Sequence, residues 1–361
     1  MWELAEDVMA GIPVTVITGF LGSGKTTLLN HLLRDPGMAD TAVVINEFGE
    51  VAIDHLLVET ALENTVLLQS GCICCTVRGD LVDTLSDLMG ERERGQIPDF
   101  SRVVIETTGL ADPAPILHTL ATEPLLANLF ALRTVVTTVD AVNGLGQLDS
   151  FPEPVKQAAL ADVMLITKTD LVDRSGVEAL KARLRQLNPS ADMLEVMHGR
   201  VSPDQLFARA ADPRANPEEL RRWLDAEAYE DAHDHGTHAH DHRDHQTEND
   251  PNRHGETIRA FCLTLDRPIA WHALKRWLQS ITSLRGRDLL RMKGVVNVEN
   301  LPGPVVVHGV QHVIHPPVRL PAWPDEDRRT RIVFITQNIP QAALQNSLDV
   351  LAGEAARREP A

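Results

Sequence analysis

Residues 19–26 read Gly-Phe-Leu-Gly-Ser-Gly-Lys-Thr, which is a complete G-x-x-x-x-G-K-[ST] phosphate-binding loop. A short β-branched run at 14–18 precedes the loop, and residues 26–33 carry the apolar spacing of a helix. In such a loop, backbone N–H groups surround phosphate oxygens, the lysine reaches the β- and γ-phosphates, and the final hydroxyl ligates Mg²⁺. The pattern predicts a nucleotide site formed by Gly19, Gly22, Ser23, Gly24, Lys25, Thr26 and Thr27.

A second nucleotide motif, Thr167-Lys168-Thr169-Asp170, follows the apolar run 163–167. In guanine-specific P-loop proteins, the aspartate of an Asn/Thr-Lys-x-Asp sequence accepts hydrogen bonds from guanine N1–H and the exocyclic amine. The lysine stem packs over the ring. Adenine presents a different donor pattern, so Asp170 would discriminate against ATP. We interpret Thr167, Lys168 and Asp170 as base-recognition residues, and a chance Lys-x-Asp sequence in a surface loop is the alternative.

Glu106 closes the apolar run 102–106 and is followed by a Thr-Thr-Gly sequence that ends at Gly109. This arrangement resembles an acidic Walker-B position followed by a glycine whose N–H can sense the γ-phosphate. The Glu106 carboxylate would hold Mg²⁺ through water and help to order the attacking water. We therefore expect catalytic roles for Lys25, Thr26, Glu106 and Gly109. A carboxylate that only caps a helix is the alternative interpretation of Glu106.

Three of the four cysteines, Cys72, Cys74 and Cys75, lie within four consecutive positions. Zn²⁺ prefers thiolate sulfur in a tetrahedral shell, and three thiolates leave one position for another ligand. An acidic side chain such as Glu47, from the loop after the neighbouring strand, could complete the shell. We predict a Zn²⁺ site here, with Co²⁺ as the alternative metal. A cluster of reduced, partly buried cysteines without metal is the other interpretation.

Length and charge limit the remaining possibilities. The chain has 361 residues with 43% hydrophobic content, which exceeds one usual core, so we expect two domains. Its 51 acidic and 34 basic residues give a formal net charge of -17, which argues against nucleic-acid and membrane partners. No apolar run is long enough to span a bilayer, and the first residues lack the basic start of a signal peptide. We therefore expect a cytoplasmic protein.

The elements that must position these motifs are strand-like and helix-like runs that alternate along the first part of the chain. The strand-like runs after the first one lie at 41–46, 66–69, 102–106, 134–140 and 163–167. This rhythm predicts an α/β fold, a doubly wound parallel sheet of the P-loop NTPase type, with ligands at the carboxyl ends of its strands. Polar residues follow several of these runs, as that arrangement requires.

The later part of the chain predicts a smaller C-terminal α+β domain. Its strand-like runs lie at 257–265, 295–298, 304–310 and 331–336, and a helix is expected at 271–280. The predicted boundaries are 12–210 for the P-loop domain with the cysteine motif, 211–256 for a polar linker and 257–345 for the C-terminal domain. The histidines at 308, 312 and 315 are interpreted as ordinary sheet or surface residues, because their spacing does not converge without tertiary help.

The predicted linker is rich in histidine. Seven of the fifteen histidines fall between His233 and His254, in a stretch nearly devoid of apolar residues. Such a stretch cannot offset its ordering entropy by burial, so we predict a disordered linker. Alternating imidazoles and carboxylates are also weak, exchanging ligands for Zn²⁺, Co²⁺ or Ni²⁺, and a segment that loads metal is the alternative.

Four strings carry a resemblance to a known family. They are Gly-Phe-Leu-Gly-Ser-Gly-Lys-Thr-Thr at 19–27, Asn-Glu-Phe-Gly-Glu at 46–50, Gly-Cys-Ile-Cys-Cys at 71–75 and Glu-Thr-Thr-Gly-Leu-Ala-Asp-Pro at 106–113. Together they resemble the CobW-like metallochaperone GTPases. Residues 291–294 and 323–334 resemble the family's second domain, so the resemblance runs through almost the whole chain. It implies a protein that binds GTP and Mg²⁺, hydrolyses GTP slowly, carries Zn²⁺ or Co²⁺ at the cysteine motif and delivers it to the apo-form of a client enzyme.

The residues add a hypothesis about control. The loops at 46–54 and 71–80 both leave strands on the nucleotide side, so a γ-phosphate that orders one loop can alter the ligand geometry of the other. We expect the GTP-bound state to hold metal tightly, and by linkage metal must change GTP affinity by the same factor. The alternatives are a cobalt chaperone for cobalamin synthesis or a cobalt enzyme, a zinc-buffering protein without transfer, and a P-loop kinase or signalling switch. A homodimer is compatible with these features.

Overall fold

The structure is a computed structural model that describes residues 11–45, 66–69, 77–207 and 258–356. The predicted metal ligands Glu47, Cys72, Cys74 and Cys75 lie outside these described residues, and so does the histidine-rich stretch at 233–254. Within the described ranges the chain forms one parallel and one antiparallel sheet. No helix in those ranges is both long enough and apolar enough to span a bilayer.

The first sheet has seven parallel strands in the order β3-β2-β4-β1-β5-β6-β7, which confirms the predicted doubly wound α/β fold. Its strands are β1 Ile12–Gly19, β2 Thr41–Ile45, β3 Val66–Gln69, β4 Arg102–Glu106, β5 Phe130–Asp140, β6 Val163–Thr167 and β7 Asp192–Val196. Sequence analysis missed β7, because this edge strand is only partly buried and its Asp-Met-Leu-Glu-Val sequence lacks a clear apolar run.

Helices cover both faces of this sheet. They are α1 Lys25–Leu32, α2 Val77–Glu93, α3 Ala114–Thr122, α4 Pro124–Leu129, α5 Gly144–Ser150, α6 Pro152–Leu160, α7 Arg174–Leu187 and α8 Pro203–Phe207. Consecutive residues of β1 point to opposite faces, so Val16 joins the core under α2 and α3 whereas Ile17 joins the core under α1 and α8. Both faces are therefore apolar, and polar groups collect at the strand ends.

The strand order places β1 in the middle of the sheet. The register pairs Ile17 with Glu106 of β4 on one side and Gly19 with Thr138 of β5 on the other. The chain completes β2, β3 and β4 on one side of β1 before β5, β6 and β7 on the other, so the loops that leave β1 and β5 diverge. A crevice at the carboxyl edge is the expected ligand site of such a sheet.

The second sheet is antiparallel, with the order β11-β10-β9-β13-β8 and with β12 paired to β10. Its elements are β8 Ile258–Leu265, α9 Trp271–Arg285, β9 Leu289–Val296, β10 Val305–Val310, β11 Val313–Ile314, β12 Val318–Arg319, β13 Thr330–Gln337 and α10 Gln341–Ala356. The prediction of a strand at 295–298 was wrong about where the strand begins, because β9 begins at Leu289. Arg291 and Lys293 interrupt the apolar run of β9 and hide its first half. Helix α9 runs past residue 280, and α10 runs past residue 345, where the sequence-based domain boundary was placed.

Both faces of the second sheet are covered. In β13, Ile332 and Phe334 pack with residues of α9 and α10, including Trp277. The alternate residues Val333 and Ile335 pack against the first domain, in one apolar cluster with residues of α2 and α3. Every residue of β13 is therefore buried, which explains its continuous apolar sequence.

Charged groups also join the two domains. Arg291 of β9 donates hydrogen bonds to the carbonyl of Leu160, at the end of α6, and to the Asp162 carboxylate. Lys293, two residues along β9, forms an ion pair of 2.9 Å with the same carboxylate. Burial alone would raise the pKa of Asp162, but the charges of Arg291 and Lys293 outweigh it and lower that pKa. One carboxylate of the first domain thus neutralises two buried cations of the second.

Candidate functional site

The P-loop has the backbone conformation that phosphate binding requires. Gly24, at the start of α1, has φ 98°, and Gly22 has φ 71°, so both adopt left-handed conformations that favour glycine. At Gly19, a Cβ would lie 2.2 Å from the Thr138 hydroxyl and 2.5 Å from the Thr138 carbonyl oxygen, which no side chain tolerates. The loop therefore keeps its N–H groups close to the first turn of α1, which contains no acidic residue.

Lys25 already lies across the loop. Its Nζ donates hydrogen bonds to the carbonyl oxygens of Gly19 at 2.8 Å and Phe20 at 3.3 Å, and the side chain is only 8% exposed. The neighbouring Thr26 and Thr27 are exposed on the first turn of α1. A lysine and an exposed threonine are thus adjacent at the start of the helix, as binding of a metal-bound triphosphate requires.

The loop after β4 lies directly against the P-loop. Thr107 N donates to the Ile17 carbonyl at 2.9 Å, and the Thr107 and Thr18 hydroxyls are 2.8 Å apart. A Cβ at Gly109 would lie 2.6 Å from the Leu21 side chain and 2.8 Å from the Leu21 nitrogen. Glu106 is buried at the end of the same strand. The structure therefore brings Glu106 and Gly109 to the same edge as the P-loop.

The base-recognition motif contacts the P-loop from the other side. The Thr167 hydroxyl donates to the Ser23 carbonyl at 2.7 Å, and Lys168 Nζ donates to the Gly22 carbonyl at 2.7 Å. Lys168 adopts a left-handed conformation with φ 56°. Asp170 follows in a short 3₁₀ turn, and its side chain is exposed. Threonine at 167 thus ties this motif to the phosphate loop with its hydroxyl and leaves the Asp170 carboxylate open to a ligand.

Comparison with known protein families identifies the family of this chain. Residues 13–195 match the family described as CobW/HypB/UreG, nucleotide-binding domain, and residues 258–352 match the cobalamin synthesis protein cobW C-terminal domain. The chain belongs to the CobW/HypB/UreG family. The resemblance identified from the sequence motifs is thereby confirmed, and the chain is a GTPase of this family.

This CobW-family chain aligns over nearly its whole length with individual relatives. It is 32% identical to the zinc chaperone YjiA of Escherichia coli (strain K12), over 93% of this chain and 98% of YjiA. It is 30% identical to the zinc chaperone CobW of Pseudomonas aeruginosa, over 96% of this chain and 92% of that protein. The crystal structure of Zn(II)-bound YjiA GTPase from E. coli is similar to this structure with a TM-score of 0.67 and 26% sequence identity. The match covers 95% of this chain and 99% of the YjiA chain.

Sequence analysis of this CobW-family chain missed Asp140, at the end of β5. Its carboxylate accepts hydrogen bonds from Lys168 Nζ at 2.7 Å, Asn143 Nδ2 at 2.9 Å and the Val142 N–H at 2.8 Å. Burial alone would raise the pKa of Asp140, but these hydrogen bonds, above all that of Lys168, lower it. Asp140 therefore stays ionised and holds the lysine of the base motif. A carboxylate that closes a strand next to β1 was the signal that could have found it.

Gln157, in the middle of α6, was also missed. It is fully buried, and its Nε2 donates to the carbonyl oxygens of Ala111 at 3.0 Å and Gly109 at 3.3 Å. A glutamine inside an amphipathic helix gives no sequence signal for such a role, because its partners lie 46 and 48 residues away. Gln157 thus attaches the loop after Glu106 to α6.

The histidines of the second domain do not gather around a metal. His308 and His315 stack with ring centroids 3.9 Å apart, whereas His312 Nδ1 donates to the Thr282 carbonyl at 2.9 Å. Across the described residues, no group of three or more His, Cys, Asp or Glu side chains could hold a metal ion. The predicted cysteine site lies outside the described residues and stays a prediction.

Proposed function

We propose that this GTPase is a metallochaperone that binds Zn²⁺ at Cys72, Cys74 and Cys75 and transfers it to a client metalloenzyme, with the GTP state controlling metal affinity. The observation that carries the proposal is the three-cysteine motif in the connection from β3 to α2, which starts at the edge of the sheet that holds the P-loop. The printed names of YjiA and CobW, zinc chaperones, support the same function.

The nucleotide chemistry follows from the residues at this edge. On binding the triphosphate, Lys25 would leave the carbonyl oxygens of Gly19 and Phe20 and contact the β- and γ-phosphates. The exposed Thr26 hydroxyl and the buried Glu106 carboxylate fit Mg²⁺, the first as a direct ligand and the second through water. When bound, the ion neutralises charge that develops on the phosphate oxygens during hydrolysis.

Glu106 and Gly109 have separate roles in this scheme. The Glu106 carboxylate helps to order the water that attacks the γ-phosphate, and the Gly109 N–H responds to the presence of that phosphate. Close packing of Gly109 on Leu21 supports this assignment, because a shift of the phosphate loop would reach Gly109 directly. Slow hydrolysis is expected, as the resemblance to the CobW-like GTPases implies.

Base selection is assigned to three residues. Asp170 would accept two hydrogen bonds from guanine, and the stem of Lys168 would pack over the ring. Thr167 holds this pair in place through its hydrogen bond to the P-loop carbonyl of Ser23. ATP would leave the Asp170 carboxylate without matching donors, which supports GTP as the nucleotide.

The coupling to metal rests on the neighbouring strands. β2 is hydrogen-bonded to β4, which ends at Glu106, and β3 is hydrogen-bonded to β2. The connection that carries Glu47 therefore starts next to the strand that bears the proposed catalytic carboxylate, and the connection that carries the three cysteines starts one strand further out. Thiolates favour Zn²⁺, and Glu47 is proposed as the fourth ligand of a shell that can release its metal.

The test is GTP hydrolysis by the metal-free protein, titrated with Zn²⁺ and then with Co²⁺. The variant Cys74→Ser/Cys75→Ser removes two proposed ligands, and Cys262→Ser is the matched control because Cys262 is a half-buried cysteine on β8, outside the proposed site. We expect Zn²⁺ to change the hydrolysis rate of the wild type and of the control, but not of the double variant. Stronger stimulation by Co²⁺ would instead favour the cobalt chaperone.

A second measurement separates transfer from buffering. GTP affinity is measured with and without saturating Zn²⁺, and linkage requires that metal and nucleotide change each other's affinity equally. Equal GTP affinity in both conditions would refute the coupling and favour a zinc buffer. Release of Zn²⁺ to a chelator that is faster with GDP than with a non-hydrolysable GTP analogue is the expected result.

A further inference from the structure

We propose that Gln157 is a positioning residue for GTP hydrolysis, and that helix α6 connects the loop after Glu106 to the C-terminal domain. The inference rests on the proposed function of Gly109 as a sensor of the γ-phosphate. It adds the element by which the second domain responds to the nucleotide. Four contacts of α6, described in order along the helix, carry it.

The first contact lies at the start of the helix. The ring of Phe151, the residue before α6, lies 5.0 Å from the ring of Phe20 in the P-loop, and Phe20 is buried. Aromatic pairs at this separation pack favourably. The amino-terminal end of α6 is therefore fixed against the phosphate loop.

The second contact is the amide of Gln157. Its two N–H hydrogens match two carbonyl oxygens, those of Gly109 and Ala111, and the side chain is fully buried. Buried carbonyl groups of a loop need donors, so these bonds determine where the loop backbone lies. An ion pair of 3.6 Å between Lys156 and Asp112 adds a weaker link between the same two segments. The loop that carries Gly109 is thus attached to α6.

The third contact holds α6 on the sheet. The Thr137 hydroxyl of β5 donates to the backbone carbonyl of Gln157 at 2.9 Å. This bond involves the main chain of Gln157 and leaves its amide unaffected. Substitution of Thr137 therefore provides a control that weakens the attachment of α6 to the sheet without removing the hydrogen bonds between the Gln157 amide and the loop.

The fourth contact lies at the end of the helix. The Leu160 carbonyl accepts a hydrogen bond from Arg291, and Asp162 pairs with Arg291 and Lys293. Asn188 donates to the Ala158 carbonyl at 2.9 Å and so caps the same end. Leu160 lies three positions after Gln157, which is about 4.5 Å along a helix axis. Less than one helical turn thus lies between the contact with the loop and the contact with the C-terminal domain.

This geometry has a functional consequence. A nine-residue helix held at both ends moves as a unit, so a shift of the Gly109 loop on loss of the γ-phosphate acts on the Arg291 contact. In the reverse direction, a change at Arg291 or Lys293 acts on the loop that senses the phosphate. Gln157 is the side chain through which both effects pass.

The test compares Gln157→Met with Thr137→Val in the full chain. Methionine keeps the size of glutamine but donates no hydrogen bond, whereas valine removes only the bond to the Gln157 main chain. We expect Gln157→Met to lower kcat about tenfold and to weaken binding of guanylyl imidodiphosphate several-fold, with GDP affinity within about twofold of wild type. Thr137→Val is expected to stay within about twofold for all three quantities, although both variants lower the unfolding temperature.

The link to the second domain is tested with Lys293→Met. This variant is expected to lower kcat about threefold, and its effect should be absent in the Gln157→Met background, because the connection is already broken. The inference is overturned if the losses of kcat caused by Lys293→Met and Gln157→Met multiply in the double variant, or if Gln157→Met behaves like Thr137→Val. The sensor role of Gly109 would stand in both cases. If the wild type binds the analogue and GDP equally, the sensor role itself fails and the inference fails with it.

Discussion

Buried or half-buried cations occur both at the nucleotide edge of the parallel sheet and on the docked face of the antiparallel sheet, but their surroundings differ. At the nucleotide edge, Lys25 donates hydrogen bonds to the backbone carbonyl oxygens of Gly19 and Phe20, next to the exposed Thr26. On the docked face, Arg291 and Lys293 share the carboxylate of Asp162. The first arrangement places a cation at the proposed phosphate site, whereas the second uses its charge to join two domains.

The two regions also differ in whether a ligand can replace the groups that contact the cations. In the proposed function, phosphate oxygens would replace the backbone carbonyls beside Lys25. Removal of Asp162 would leave Arg291 and Lys293, which are 2% and 5% exposed, without that countercharge. Substitutions should therefore affect ligand chemistry at the first region and folding at the second.

The largest effect is expected at the nucleotide edge. Lys25→Met removes the cation that is proposed to contact the β- and γ-phosphates, and loss of one such donor typically costs a factor of about 100 or more in rate. We expect GTP hydrolysis to fall at least that far, with little change in the free energy of unfolding. The control is Lys181→Met, which removes a lysine of α7 that pairs with Glu195 of β7, at the edge of the sheet beyond β6. Unfolding of the Lys25 variant with unchanged hydrolysis per folded molecule would contradict the comparison.

The next effect is expected at the docked face. Asp162→Asn keeps the shape of the side chain but removes the charge that Arg291 and Lys293 share, and breaking such a buried pair costs about 3 kcal/mol. Urea unfolding measures this loss, and GTP affinity should change far less. Asp149→Asn, at an exposed position of α5, is the matched control. An unchanged free energy of unfolding would show that the two domains are held by apolar contacts alone.

The comparison also separates what the sequence predicts from what it does not. The P-loop, the Glu106 strand end and the Thr-Lys-x-Asp motif are consecutive residues after apolar runs, so local pattern was enough to place them. The order of the strands around β1 was not predicted, but the doubly wound class was. The metal ligands Cys72, Cys74, Cys75 and Glu47 remain predictions.

Roles that depend on distant partners were missed. Gln157 looks like an ordinary helix residue until its amide meets carbonyls 46 and 48 residues away. Arg291 and Lys293 made β9 look like a poor strand, because sequence gives no sign that Asp162 will face them. Asp140 is intermediate, since its position at a strand end was visible but its bond to Lys168 was not. Tertiary pairing of polar groups is therefore the part that local pattern leaves open.

A smaller effect is expected for base selection, again at the nucleotide edge. Asp170→Asn replaces an acceptor-only carboxylate by an amide that presents a donor to guanine N1–H, which should weaken GTP binding roughly 50-fold. Competition of GTP and ATP for the purified protein measures the change, and the preference for GTP should shrink. Asp173→Asn, which alters the cap of α7 instead, is the control. Tighter binding of ATP than GTP by the wild type would contradict the base assignment.

The docked face also contains neutral imidazoles beside its cations. Burial is the main cause that lowers the pKa of His315 to about 4, and the charges of Arg291 and Arg133 contribute to this value against the opposing effect of Asp162. Burial likewise lowers the pKa of His308 well below 6.5. The groups that face this pair from both domains are Arg291, Lys293, Arg133 and Asp162. Protonation of the pair would add positive charge where one carboxylate already faces two cations.

The smallest effect is therefore a dependence of folding on pH. Because the pKa of His315 is about 4 in the folded chain and 6.5 in its ordinary state, the unfolded chain binds more protons between these values. Stability should be intact above pH 6.5 and fall as the pH drops from 6.5 towards 4, with a loss of about 2 kcal/mol between pH 7 and 5. His315→Phe keeps a ring against His308 but cannot titrate, so it should flatten this slope, whereas His272→Gln, on the exposed side of α9, should not. Urea unfolding at a series of pH values measures the slopes. Equal slopes for wild type and His315→Phe would mean that the docked face tolerates added positive charge, and the contrast with the nucleotide edge would fail.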